Sequence, residues 1–203
     1  MSAHPPVAFR ENHAYRRRQR LFDVAIALLA LSLAAPLLAF VALAIRLDDG
    51  GPVLFRQQRV GRFGRLFTIY KLRTMRSEAC GDALSPHAGG DARLTRIGVV
   101  LRKTSLDELP QLLNVVRGEM AIVGPRPEMP FLVKKYESWQ HLRHLVKPGI
   151  TGLWQTTCRS TVPLHRPEAT RLDLEYIRSA STRTDGLIVL RTFRALLSAQ
   201  GAY

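Results

Sequence analysis

Residues 21–45 read LFDVAIALLALSLAAPLLAFVALAI, an apolar run that contains one charged residue, Asp23. As an α-helix rising about 1.5 Å per residue, this run could span a hydrocarbon core about 30 Å thick. It is long for the apolar region of a signal peptide, and residues 45–48 do not resemble a small-residue cleavage site. Because the run is apolar on all sides, it predicts a membrane-associated helix, with a buried helix of a soluble protein as the alternative.

Arginines flank this segment on both sides. They are Arg10, Arg16, Arg17, Arg18 and Arg20 before it, and Arg46, Arg56, Arg59, Arg62 and Arg65 after it. Positive flanks stay on the cytoplasmic side, so a helix that enters one leaflet, bends and returns keeps both clusters together. Pro36 supplies the bend, because it has no N–H to donate to the Ser32 carbonyl. The flanks therefore favour a re-entrant helix over 21–47, with a true span as the alternative.

The composition points to an anionic partner. The chain has 203 residues, enough for one domain with a core, and its 30 Lys and Arg against 16 Asp and Glu give a net charge of +14. Nucleic acid, anionic lipid and a phosphorylated substrate are the candidates. Cys80 and Cys158 lack metal-ligand spacing, and His141 and His144 have no third ligand at a recognisable spacing. These patterns argue against a disulfide framework and a zinc site.

The rest of the chain mixes strand and helix signals. Strands are predicted over 53–59 and 66–75, joined as a short β-hairpin. Period two places Lys71 and Arg73 on one face with the apolar Phe67 and Ile69, with a solvated edge as the alternative. A loop is predicted over 77–93. Apolar residues at helical spacing predict further helices within 106–118, 131–146, 168–180 and 187–198, and Gly118 is expected to end the first of them. The second and the last of these mix apolar and basic residues, which is typical of amphipathic interfacial helices, with an ordinary domain surface as the alternative.

Two adjacent carboxylates, Asp107 and Glu108, lie at the predicted start of the helix within 106–118. With Ser105 as N-cap, Glu108 matches a capping box, and Thr104 as N-cap shifts that frame by one residue. Capping alone does not need two acids. In either frame, the helix dipole and its free N–H groups favour an ionised carboxylate or a nearby phosphate.

Cations surround this acid pair in the sequence. Arg102 and Lys103 precede it directly, and Arg126 follows it between two prolines. The prolines restrict the backbone around Arg126 and so place its guanidinium for a bidentate grip on phosphate. An acid pair ringed by fixed cations suits phosphate chemistry with a divalent metal, while the capping box is the alternative reason for Glu108.

Six segments in order resemble the bacterial sugar transferase family, the monotopic phosphoglycosyl transferases. They are FRQQRVG (55–61), YKLRTM (70–75), TRIG (95–98), LRKTSLDELPQLLNV (101–115), VGPRPE (123–128) and KPGITGLWQ (147–155). The resemblance extends from about residue 20 to the C-terminus and implies a small α/β domain resting on a membrane. It divides the chain into a basic segment over 1–20, a re-entrant membrane helix over 21–47 and a cytoplasmic catalytic domain over 48–203.

The resemblance also implies a reaction. Sugar 1-phosphate passes from a UDP-sugar to polyprenol (undecaprenyl) phosphate, giving UMP and a polyprenyl diphosphate sugar. Asp107 is implied as the nucleophile of a phosphosugar–aspartyl intermediate, with Glu108 as its partner and Mg²⁺ bound at both. The residues expected to bind substrate or phosphate are Lys71, Arg73, Arg102, Lys103, Arg126, Arg159 and Asp173.

The family resemblance places the protein at the bacterial inner (cytoplasmic) membrane, with the catalytic domain on the cytoplasmic face and membrane lipids as partners. The chain departs from the family pattern at Ala35, where Ser often precedes the proline, and at Cys158, where Gly usually stands. A nucleic-acid-binding module would explain the charge but not the segment 21–45. A non-catalytic basic membrane scaffold would leave Asp107 and Glu108 unexplained. No motif in the sequence identifies the sugar, the glycan pathway or the oligomeric state.

Overall fold

The computed structural model describes residues 13–76, 91–158 and 161–197. Its helices are α1 (His13–Asp49), α2 (Arg96–Thr104), α3 (Gln111–Arg117), α4 (Pro130–Val133), α5 (Leu153–Thr157), α6 (Pro167–Ser179) and α7 (Thr182–Leu197). Its strands are β1 (Leu54–Val60), β2 (Leu66–Leu72), β3 (Ala121–Val123) and β4 (Gly149–Thr151). The mixture of helices and small two-stranded sheets agrees with the predicted α/β class. Most of the loop predicted over 77–93 lies outside the described residues.

Helix α1 runs without interruption through Pro36 and is long and apolar enough to cross a membrane. A narrow stripe of it packs on the domain, where Ala27 joins the cluster around Phe67 and Val41 joins the cluster around Leu72. Of its most apolar 18-residue stretch, 11% is buried, whereas the core helix of a soluble protein is mostly buried. The bend at Pro36 stays a prediction. The outer face exposes large apolar side chains, among them Leu21, Phe22, Leu29, Leu33, Phe40, Leu43 and Leu47.

Both ends of α1 are attached to the rest of the chain. Near its beginning, the Tyr15 hydroxyl donates to Oδ2 of Asp185 in α7 at 2.6 Å. At its end, Asp49 accepts two hydrogen bonds from the guanidinium of Arg73, which follows β2 and is fully buried. Helix α1 is therefore attached to the rest of the domain near both of its ends and not at one end alone.

Strands β1 and β2 form the predicted antiparallel hairpin, in which Phe55 lies opposite Lys71. Helix α3 docks on the free edge of β2 through the buried side chain of Asn114. This side chain accepts from the Tyr70 N–H at 3.2 Å and donates to the Thr68 carbonyl at 2.7 Å. Because these bonds satisfy the edge of the strand, they fix α3 and the turn before it against the strand that carries Lys71.

Strands β3 and β4 pair in parallel, with Ala121 opposite Gly149. The two strands approach so closely that a β-carbon on Gly149 would lie 2.1 Å from the Gly124 nitrogen. The Gly149 N–H also donates to the Pro125 carbonyl at 2.9 Å. The backbone of Gly149 thus holds the Pro-Arg-Pro segment in place directly after β3.

The region 131–146 is not the single amphipathic helix that its spacing predicts. Helix α4 ends at Val133, and a separate 3₁₀ helix runs over Ser138–Leu145. Glu137 and Gln140 form a reciprocal capping box that begins this second helix. The capping box at Glu137 therefore starts a new helix there, although the apolar spacing favours one continuous helix, because it satisfies the backbone N–H groups at the new helix start.

Candidate active site

The acid pair lies in a turn between two helices. Helix α2 ends at Thr104, Ser105 is left-handed with φ 55°, and Leu106–Glu108 form a 3₁₀ turn. Pro110 cannot donate to the Leu106 carbonyl, which instead accepts from the Leu109 N–H at 3.2 Å. The predicted capping box is wrong, because the Ser105 side chain makes no cap hydrogen bond and the Thr104 hydroxyl donates back into α2.

The Glu108 carboxylate joins the turn to two other elements. Its Oε1 accepts from Nζ of Lys71 in β2 at 2.8 Å and from Nη2 of Arg126 after β3 at 2.6 Å. Nη1 of Arg126 reaches Oε2 at 3.4 Å. Arg126, between Pro125 and Pro127, thus lies at the acid pair, and the site combines a strand, a turn and a loop. Its grip on phosphate stays a prediction.

The Asp107 carboxylate has a different environment. It is buried with 8% of its surface exposed, and no donor from the described part of the chain hydrogen-bonds to it. Burial raises the pKa of the Asp107 carboxyl above its usual range, while the positive charges of Lys71 and Arg102 oppose that rise. Asp107 is therefore the acid of the pair whose oxygens stay available for chemistry.

The site also shifts the pKa values of two of its cations, Lys71 and Arg102. Burial lowers the pKa of the Lys71 ammonium, and the contact with Glu108 works against that shift. Arg102, in the last turn of α2, donates from Nε to the Thr74 hydroxyl at 3.0 Å. Burial lowers the pKa of the Arg102 guanidinium, and Asp107 raises it. Cations therefore approach the acid pair from β2, α2 and the loop after β3.

The backbone of Arg126 is hydrogen-bonded to a buried ion pair, formed by Arg143 and Asp173. Arg143 is 2% exposed, and its Nη2 donates to the Arg126 carbonyl at 2.9 Å and lies 2.6 Å from Oδ2 of Asp173. Its Nη1 donates to the Tyr136 hydroxyl at 2.5 Å. Burial raises the pKa of Asp173 to about 6, against the effect of Arg143. Asp173, expected to bind substrate, is thus buried behind Arg126, to which Arg143 connects it. The apolar spacing of 131–146 did not indicate that Arg143 is buried.

Of the other expected phosphate ligands, Arg73 contacts the end of α1 and the segment before β1, and Lys103 is exposed. The Arg73 guanidinium binds Asp49 and donates from Nε to the Pro52 carbonyl at 2.6 Å, so its contacts give it a structural role. Lys103 is exposed on the last turn of α2. Arg159 lies outside the described residues. A substrate-binding role for Arg73, Lys103 and Arg159 stays a prediction.

The carboxylates also bear on the expected Mg²⁺. Within the described part of the chain, no group of three or more His, Cys, Asp and Glu side chains is placed to hold a metal alone. Mg²⁺, however, commonly takes one or two protein carboxylates and completes its shell with water and substrate phosphates. The pair Asp107 and Glu108 fits this donor set, because the Asp107 oxygens accept no hydrogen bond from described protein groups.

Comparison with known proteins places this site in context. The sequence pattern of the bacterial sugar transferase family matches residues 14–199. A UDP-glucose:undecaprenyl-phosphate glucose-1-phosphate transferase of Caulobacter vibrioides is 44% identical over 193 residues, which cover 92% of this chain and 72% of that protein. The exopolysaccharide production protein ExoY of Sinorhizobium fredii is 39% identical over 204 residues, which cover 91% of this chain and 88% of that protein.

A third relative transfers a different sugar by its name. The UDP-N-acetylgalactosamine-undecaprenyl-phosphate N-acetylgalactosaminephosphotransferase of Aeromonas hydrophila is 38% identical over 191 residues, 91% of this chain. The chain spans 44% of the length of that relative. The matched part is therefore shared by transferases that differ in length and, by their names, in the sugar transferred.

Proposed function

The chain belongs to the bacterial sugar transferase family, and from this premise we propose that it transfers sugar 1-phosphate from a UDP-sugar to undecaprenyl phosphate. The products are UMP and an undecaprenyl diphosphate sugar, the first membrane step of exopolysaccharide or other glycoconjugate synthesis. The observation that carries the proposal is the arrangement of the acid pair. Glu108 binds two cations, while Asp107 beside it stays buried and accepts no hydrogen bond from the described residues.

The first step is a displacement at the phosphorus that bears the sugar. A carboxylate oxygen of Asp107 attacks this phosphorus, the bond to the bridging oxygen breaks, and UMP leaves with that oxygen and its electron pair. The sugar phosphate remains on Asp107 as an acyl phosphate. Lys71, Arg102 and Arg126 stabilise the charge that the phosphoryl oxygens carry during this transfer.

The second step returns the enzyme to its starting state. An oxygen of undecaprenyl phosphate attacks the same phosphorus, the bond to Asp107 breaks, and the Asp107 carboxylate is released. Mg²⁺ bound at Asp107 and Glu108 would supply further positive charge for the phosphoryl oxygens. Glu108, held by Lys71 and Arg126, keeps these two cations in position through both displacements.

The location of the reaction follows from the two substrates. We place α1 in the cytoplasmic membrane as a re-entrant helix bent at Pro36, with the catalytic domain on the cytoplasmic face. The exposed apolar face of α1 supports this placement, as does an apolar row on α7 formed by Leu187, Leu190, Phe193 and Leu196. At such a surface, a water-soluble UDP-sugar and a lipid-bound phosphate both reach Asp107.

The test uses the purified full chain, undecaprenyl phosphate, Mg²⁺ and a panel of UDP-sugars, with UMP release as the readout. We expect release with at least one sugar, loss of at least about a thousand-fold in Asp107→Asn, and no change in Asp48→Asn, an exposed acid in the last turn of α1. Without undecaprenyl phosphate, label from a UDP-sugar that carries ³²P in its β-phosphate should stay on the wild-type protein, because the α-phosphate leaves in UMP. Full activity in Asp107→Asn would contradict the covalent mechanism, and EDTA without effect would contradict the metal.

A further inference from the structure

A cavity of about 510 Å³ lies beside the beginning of α1. Ala121, at the start of β3, forms part of its wall, whereas Arg126 of the acid-pair site follows the other end of that strand. None of Asp107, Glu108 or Lys71 lines the cavity. It is thus a second site, apart from the one at which the transfer is proposed.

The walls of this cavity carry a large excess of positive charge. One carboxylate, that of Asp23, lines it, and this carboxylate accepts a hydrogen bond from the Ile122 N–H at 3.3 Å. The cations that line it come from α1, from the turn after β1 and from the segment before β4, and they are Arg16, Arg17, Arg20, Arg62 and Lys147. Side chains from three separate parts of the chain therefore direct positive charge into one space.

Two of these cations converge on one point. Nη2 of Arg20 and Nζ of Lys147 lie 3.3 Å and 3.5 Å from the place that a β-carbon on Gly118 would occupy. Arg20 is held there because its Nη2 donates to the Val116 carbonyl at 2.8 Å. Burial lowers the pKa of the Lys147 ammonium, and the charges of Arg20 and Arg62 lower it further, while Asp23 opposes the shift. An anion in the cavity would relieve this repulsion between like charges.

The cavity borders an apolar surface. Leu21 lines it and is nevertheless 72% exposed, and its neighbour Phe22 is 59% exposed. These two residues begin the outer apolar face of α1, which we place in the membrane. A ligand that fits both surfaces has an anionic group for the cavity and a hydrocarbon part for Leu21 and Phe22.

We propose that this cavity binds the phosphate of an anionic phospholipid headgroup, while Leu21 and Phe22 contact its acyl chains. The lipid acts as a structural ligand that ties the beginning of α1 to the domain at the membrane surface. This proposal rests on the proposed membrane location and not on the transfer reaction. Asp107→Asn, which abolishes the proposed transfer, leaves lipid binding unchanged, so the two proposals fail separately.

The test titrates the full chain in dodecyl maltoside micelles with dioctanoyl phosphatidylglycerol, and native mass spectrometry measures the bound fraction. The cavity variant is Arg17→Gln with Lys147→Gln, because neither side chain has a hydrogen bond or ion pair within the described part of the chain. The matched control is Arg18→Gln with Lys135→Gln, which removes the same charge from two exposed positions outside the cavity. We expect at least about tenfold weaker binding in the cavity variant than in the control.

Two further arms identify the ligand. Dioctanoyl phosphatidylcholine and inorganic phosphate should each bind the wild-type chain at least about tenfold more weakly than the anionic lipid. Equal binding by the two charge variants would overturn the site, equal binding of inorganic phosphate would overturn the lipid, and equal binding of phosphatidylcholine would overturn the need for net charge. Arg17→Lys with Lys147→Arg keeps both charges and should bind as wild type does, which separates lost charge from lost folding. Weak binding by this pair would contradict the proposal.

Discussion

Nζ of Lys71 lies 2.8 Å from Oε1 of Glu108, and Nη2 of Arg126 meets the same oxygen at 2.6 Å. One carboxylate of the acid pair therefore holds two cations, while Asp107 beside it is buried without a hydrogen-bond donor from the described residues. The left-handed Ser105 and the 3₁₀ turn that follows it direct the two adjacent side chains into these different environments. Neighbouring acids thus acquire unequal roles from backbone conformation.

Glu108→Gln should separate the cations of the site from their shared partner. We expect UMP release to fall at least about tenfold, because Lys71 and Arg126 lose the charge that positions them. The free energy of unfolding should fall by about 1–3 kcal/mol, since the two partly buried cations are then incompletely paired. Urea unfolding and steady-state rates measure both. Glu175→Gln, an exposed acid on α6, should change neither, and a fully active Glu108→Gln would contradict this role.

Arg143 should act as a positioning residue for Arg126. In Arg143→Lys, an ammonium can still pair with Asp173 but cannot also reach the Arg126 carbonyl and the Tyr136 hydroxyl. We expect this variant to regain most of the stability that Arg143→Gln loses, about 3–5 kcal/mol for a broken buried pair. Its KM for the UDP-sugar should stay raised about tenfold. Stability and KM that recover together would reduce Arg143 to a structural residue.

His144 should make stability depend on pH. Burial lowers the pKa of His144 to about 4, with Arg143 and His141 adding to the shift. The folded chain keeps His144 neutral, whereas the unfolded chain binds a proton near pH 6.5. The resulting stability is therefore present above about pH 6.5 and is lost as pH falls towards 4, by about 1–2 kcal/mol because the ring is partly exposed.

Urea unfolding between pH 7.5 and 4.5 tests this expectation. Asp173, whose pKa is raised to about 6, adds stability as pH falls, so the contribution of His144 is the difference between the profiles of wild type and His144→Gln. That difference should change by about 1–2 kcal/mol over this range. His165→Gln leaves His144 and its surroundings in place and should keep the wild-type profile. Identical profiles for wild type and His144→Gln would exclude His144 as the source.

Replacing glycine by alanine should have opposite effects on stability at two positions, one in β4 beside β3 and one in α7. Gly149→Ala places a β-carbon 2.1 Å from the Gly124 nitrogen, and backbone atoms cannot move aside without shifting the strands and Arg126. We expect a loss of more than about 3 kcal/mol in the free energy of unfolding. Gly186→Ala, within α7 and with nothing within 4 Å of the new carbon, should gain up to about 1 kcal/mol. Thermal and urea unfolding of both variants give the comparison.

Local patterns predicted the elements that depend on local chemistry. Period two predicted the hairpin and the common face of Phe67 and Ile69, which are both buried in β2. Gly118 was predicted to end the helix after the acid pair, and it does so with φ 84°. The sequence predicts these features because alternation in a strand and a positive φ at glycine depend only on a short segment of the chain.

Competing local signals and distant partners account for the differences. Ser105 and Glu108 match a capping box in sequence, but Pro110 and the cations from β2 and from the loop after β3 direct Glu108 elsewhere. An arginine paired with a distant acid, such as Arg143 with Asp173, looks in sequence like any surface arginine. The grouping of Lys71 with the acid pair came from the family resemblance, whereas Arg126 was grouped with it from its flanking prolines. The nucleophile and the metal stay predictions.

The hydrogen bond between Tyr15 and Asp185 joins residues that are 170 positions apart. During synthesis, the beginning of α1 leaves the ribosome long before α7 exists, so this part of the helix reaches its final contacts only after α7 has been made. In the membrane placement proposed above, lipid is available to the apolar face of α1 before α7 is made. Insertion of α1 should then come before the contact between its beginning and α7.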